Sequence, residues 1–119
     1  MSGLTSIFST GLSGLNAAGA MFGASAHDIA NADTPGFRST RVRLTPAPDG
    51  SGVRVDYVRA DAKNDEKEQE DSDVDIASEF VNVRRAALLY KANASVIRIG
   101  DSLMGTLLDT FDTRRLGRR

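Results

Sequence analysis

The sequence predicts a mainly α-helical chain: two long terminal helices that pair as an antiparallel coiled coil, with a small β hairpin and a flexible acidic loop between them. Three observations predict it. Apolar residues repeat at heptad spacing near both ends of the chain, a Pro-Gly turn closes the first repeat, and a short alternating stretch separates the two.

The first repeat runs Phe8, Leu12, Leu15, Gly19, Phe22, Ala26 and Ile29, in alternating steps of four and three. Such steps keep one stripe on one side of a helix. A helix from Leu4 to about Ala30 would be ~40 Å long at 1.5 Å per residue. Gly11, Gly14, Gly19 and Gly23 each cost about 1 kcal/mol of helix propensity relative to Ala, so the helix is marginal on its own. Pro35 disfavours the helical region at Thr34, and Gly36 admits the positive φ of a type II turn, so the chain must turn between Asn31 and Phe37.

Beyond the turn, Arg41–Thr45 and Val53–Val58 alternate apolar and polar residues across a Pro/Gly/Ser-rich connection, the pattern of a hairpin. Residues 61–75 hold eight acidic and two basic side chains with almost nothing apolar. Burial there cannot offset the entropy of ordering, which predicts a solvated linker. The second repeat starts behind the candidate caps Asp73 and Asp75. It runs Ile76, Phe80, Val83, Ala87, Tyr90, Ala94, Ile97, Asp101, Met104, Leu108 and Phe111, with Asp101 as its single polar break. The chain thus divides into an N-terminal helix and turn (1–37), a hairpin and acidic linker (38–72), and a C-terminal helix with a basic tail (73–119).

An antiparallel pair would bury both stripes but leave Leu88, Leu89, Ile99, Leu103 and Leu107 off the seam. An apolar patch of that size asks for neighbouring subunits. Copies meeting head to tail through unlike surfaces close into a ring or extend into a helical filament, although a dimer or four-helix bundle would satisfy the stripes equally well. The residues expected at a subunit interface are Phe8, Leu12, Leu15, Phe22, Ile29, Phe37, Ile76, Phe80, Val83, Tyr90, Ile97, Met104 and Leu108.

Composition narrows the remaining classes. With a formal net charge of −1, the chain lacks the Lys/Arg excess of a dedicated nucleic-acid binder. The terminal Arg114, Arg115, Arg118 and Arg119 come without interleaved aromatics and suit the negative end of a helix dipole. Zero cysteines exclude thiolate metal sites, and His27, the single histidine, has no partner at a catalytic or metal-ligand spacing. The acidic stretch lacks the spacing of a calcium loop. No catalytic residue, cofactor or metal is therefore expected. The N-terminus lacks the pattern of a cleavable signal peptide, and no run reaches the length of a membrane span.

Two ends of the chain carry a family likeness. Ser13-Gly14-Leu15-Asn16-Ala17-Ala18, the run Asp28 to Phe37 (Asp-Ile-Ala-Asn-Ala-Asp-Thr-Pro-Gly-Phe), and Val74-Asp75-Ile76-Ala77-Ser78-Glu79-Phe80-Val81-Asn82 leading to Tyr90-Lys91-Ala92-Asn93-Ala94 resemble the terminal signatures of flagellar rod and hook proteins. The likeness covers roughly the first forty and last forty-five residues, with the motifs in the same order. Its short middle is most similar to the proximal-rod subunits of type C. The chain departs from them in Arg84-Arg85-Ala86-Ala87-Leu88-Leu89-Tyr90, where a Gln-Arg-x-Tyr run is common, and in the acidic middle that replaces a His/Pro-containing segment.

The resemblance implies a non-enzymatic axial subunit of the flagellar basal body, exported unfolded through the flagellar type III apparatus and placed in the periplasm-spanning rod. It implies partners among copies of itself, other rod proteins, the export apparatus and the membrane rings, with no nucleic acid and no membrane insertion. Read from the residues without it, the heptads and arginine tail also allow a soluble coiled-coil adaptor or a nucleoid-associated module.

Overall fold

The computed structural model describes residues 2–59 and 71–116. Helix α1 spans Ser2–Ala30, strands β1 and β2 span Thr40–Pro46 and Val53–Arg59, and helix α2 spans Ile76–Leu116. The architecture is the predicted one: a long antiparallel helix pair with a two-stranded antiparallel hairpin between its members. Of the predicted acidic linker, residues 61–70 lie outside the described residues, as do Arg118 and Arg119 of the tail. The body measures 83 × 26 × 14 Å. A single helix is already about 10–12 Å across, so the body is thin along its shortest dimension, with the hairpin packed against α1.

Local chemistry explains each end. After Ala30 the helical bonding tightens: the Asn31 and Ala32 amides donate to the Asp28 and Ile29 carbonyls at 3.1 and 3.2 Å. The Phe37 amide then donates to the Thr34 carbonyl at 3.1 Å, around Gly36 at φ 70°. This is the turn that Pro35-Gly36 predicts. His27 meets Phe37 edge to face at 5.4 Å, so the turn folds back onto the last turn of α1.

In the hairpin Thr40 pairs with Arg59 and Pro46 with Val53. Asp49 closes the connection by accepting from the Ser51 amide at 3.0 Å and the Ser51 hydroxyl at 2.6 Å. Gly52 sits at φ 131°, a conformation that favours glycine, and a Cβ there would strike Ser13 of α1. The adjacent Val53 amide donates to the Ser13 hydroxyl at 3.2 Å. The far end of the hairpin is thereby laid on the middle of α1.

At the start of α2 the two candidate caps divide the work. Asp75 is the cap: it accepts from the Ala77 amide at 3.1 Å and the Ser78 hydroxyl at 2.6 Å, and these bonds, led by that to Ser78, hold its carboxyl below the usual aspartate range. Asp73 reaches sideways instead, accepting from the Ser39 amide at 2.6 Å. Asp75→Ala is expected to fray the first turn, read as faster exchange of the Ala77 and Ser78 amides. Because the folded carboxyl titrates low, the cap persists above the ordinary aspartate value and is lost only as pH falls through the depressed one. Loss of protection at these amides while pH is still neutral would contradict this.

Candidate assembly surface

The two helices meet along a line of small residues. Gly11 faces Ile97, Gly14 faces Asn93, and Gly100 faces Ile7 and Phe8. Ala17, Ala18 and Ala86 are the buried apolar side chains among the described residues. Removing Cβ atoms from the contact line lets the backbones approach closely, which gains dispersion along its whole length. Asn93 turns its amide back to the Leu89 carbonyl at 2.8 Å, satisfying that donor within α2.

This line lies one residue off each heptad read from the sequence. Gly11, Ala18, Ser25 and Asp28 are buried where Leu12, Gly19, Ala26 and Ile29 lead the sequence pattern, and Ala86 and Gly100 where Ala87 and Asp101 do. One residue is 100° of helix rotation. Several of the large apolar side chains therefore point away from the pair's own contact line, while Ile7, Phe8 and Ile97 pack against its glycines. Leu12, Phe22, Ile76, Phe80, Tyr90 and Leu108 are exposed, Phe80 at 57% and Leu108 at 61%. Phe8, Leu15, Ile29, Phe37, Val83, Ile97 and Met104 are half-buried, flanking the line or the turn. The expectation that the pair would bury both stripes is thus corrected: a single helix pair has one contact line, and small residues occupy it.

Two of the exposed apolar surfaces among the described residues lie on α2. On the side of α2 away from α1, Val81, Leu88 and Ile99 form an exposed strip, with Leu88 at 69%. The other surface is an overhang. Continuing the Gly11–Ile97 and Gly14–Asn93 register places the start of α1 opposite Gly105, so the last turns of α2 run past it. Leu107, Leu108 and Phe111 stand there exposed, and Leu108 and Phe111 lie on the face that Ile97 and Met104 present to α1. The overhang is ~15 Å long at 1.5 Å per residue.

The joint between helices and hairpin is polar. Asp28, the largest fully buried side chain, accepts from the Thr40 amide through Oδ2 at 2.9 Å. Its neighbour in the chain, the Ser39 amide, is held by Asp73. A cleft of about 440 Å³ opens beside this joint, lined by Ser25, Thr40, Arg41, Glu79, Asn82 and Arg85. No group of three or more potential metal ligands occurs among the described residues, and no described helix is long and apolar enough to cross a membrane.

Sequence reasoning missed the contact line and the joint. The glycines count there as a cost in helix propensity, whereas Gly11, Gly14, Ala18 and Ser25 step by three, four and seven along one face, the signal that would have found the line. Asp28, one residue off an apolar stripe, gives no sign that it is buried. The terminal motifs meet in this structure: Gly14 of the first packs on Asn93 of the last, while Asp28 holds Thr40 at the joint and Asp75 caps α2. Compared with models of known protein families the chain matches none, and no curated protein matches it significantly.

Proposed function

We propose that this chain is a structural, non-catalytic subunit of a self-assembling axial rod of the flagellar basal-body type. The observation that carries the reading is the mismatch between what the chain folds and what it buries. Among the described residues the buried apolar side chains are three alanines, while sixteen large apolar side chains stand exposed. Burying each Leu or Phe is worth about 1.5–3 kcal/mol, so neighbours that cover these side chains supply a driving force for assembly. A thin, 83 Å body with apolar strips on different sides suits packing side by side and end over end.

The terminal motifs support the flagellar assignment by their resemblance, and their contact across the pair supplies a physical role for residues that are otherwise small or polar. In this reading Phe80, Tyr90, Leu108 and the residues beside them meet other copies and other rod proteins. The chain travels to the rod through the flagellar export route, and the rod passes torque to the hook.

The test is deletion of the gene, electron microscopy of isolated basal bodies, and restoration of the chain from a plasmid. Loss of rod and hook with rescue on complementation is expected. Intact flagella in the deletion strain would overturn the reading and favour a soluble coiled-coil adaptor.

A further inference from the structure

Asp28 is fully buried, at 0% exposure, and only half satisfied. Oδ2 accepts the Thr40 amide, while Oδ1 has no hydrogen-bond partner among the described residues. A buried carboxylate oxygen without a donor is costly when charged, because water's solvation has been removed and nothing replaces it. The groups around it raise that cost. Asp73 acts from the segment before α2 and Glu79 from the first turn of α2, both adding like charge. His27 on its own helix acts in the opposite sense, and β1 presents an uncharged backbone amide.

We propose that Asp28 is a proton-operated clamp at the root of the hairpin: one proton taken from solvent onto Oδ1 neutralises the buried carboxylate and removes its repulsion by Glu79 and Asp73, so that the joint between β1 and the helix pair holds a buried neutral group in place of a buried charge. Oδ2 keeps the Thr40 amide in both states, as a weaker acceptor once the carboxyl is neutral, and relief of the buried charge outweighs that loss. Protonation removes one charge from a group of three carboxylates, leaving Asp73 and Glu79 to face a neutral partner.

Burial, opposed by the Thr40 bond and reinforced by Glu79 and Asp73, pushes the Asp28 carboxyl above its ordinary 3.8. The folded chain therefore holds a proton, between that value and the raised one, that the unfolded chain has released. Stability from this group grows as pH falls through the raised value and is absent at neutral pH. The direction is opposite to that of the Asp75 cap. The clamp belongs to the single chain and operates whether or not copies polymerise.

The test is carboxyl-carbon NMR titration of the full chain, with melting curves of native, Asp28→Asn and Asp73→Asn proteins at neutral and mildly acidic pH. The Asp28 midpoint is expected above 3.8. Asp73→Asn should move it down, since the amide still accepts from Ser39 but carries no charge. Asp28→Asn, which keeps an acceptor for Thr40 and removes the charge, should melt above the native chain at pH 7, with the gap closing in acid. A midpoint at or below the ordinary value, including the random-coil titration of an unfolded free chain, would overturn the clamp. So would an Asp28→Asn protein that melts below the native one at pH 7, or a midpoint indifferent to Asp73→Asn.

Discussion

Leu108→Asp is expected to abolish incorporation into the rod, and with it motility, while leaving the single chain as stable as before. Leu108 lies on the overhang of α2 beyond the start of α1 and is 61% exposed, so no contact within the chain depends on it. Exposed substitutions of this kind usually change stability by no more than about 0.5 kcal/mol. In the proposed rod the same change would place a charge where a neighbouring copy covers Leu108, and an unpaired buried charge costs several kcal/mol per interface. A polymer repeats that cost at every subunit. Leu88→Asp, on the opposite side of α2, tests the second strip in the same way. The measurements are circular-dichroism melting of the purified chain and electron microscopy of basal bodies from the complemented strain. Normal rods with both variants would show that these strips stay solvated, and a collapsed melting curve would show that they support the fold of the monomer.

The second large effect is a reversal of sign among glycines of α1. Gly14→Ala should destabilise the helix pair by about 1–2 kcal/mol, because the added Cβ falls on the Asn93 side-chain amide, which must give up its bond to the Leu89 carbonyl or push the helices apart. Gly19→Ala and Gly23→Ala meet nothing within 4 Å, so each should stabilise by up to about 1 kcal/mol through helix propensity alone. Thermal or urea unfolding of the three variants decides it. Equal stabilisation by all three would mean that Gly14 does not sit on the contact line, and the register drawn through Gly11–Ile97 would fall with it.

That reversal shows where sequence reasoning stops. In the sequence Gly14, Gly19 and Gly23 are the same residue at similar places in one helix, and propensity treats them alike. Only the partner helix distinguishes them. The heptads of Phe8 to Ile29 and Ile76 to Phe111 likewise identify two helices and a wide apolar face correctly. They cannot say which part of that face meets the partner chain segment and which part meets other molecules. Hydrophobic periodicity reports what must leave water, not what covers it. The polar joint was less legible still. Asp28 differs from an ordinary exposed helix aspartate only because the turn at Pro35-Gly36 brings Thr40 back over it, a contact across twelve residues.

The element order, the stop at Asn31–Phe37, the hairpin and an acidic cap at Asp73 or Asp75 were determined by sequence alone, because propensity, proline and glycine geometry and capping act within a few residues. The tertiary structure decided the rotation of each helix by one residue, the exposure of the large apolar side chains and the burial of Asp28. Those depend on how closely two backbones can approach, and small residues at Gly11, Gly14, Ala18, Ala86 and Gly100 allow a closer approach than any leucine or phenylalanine stripe.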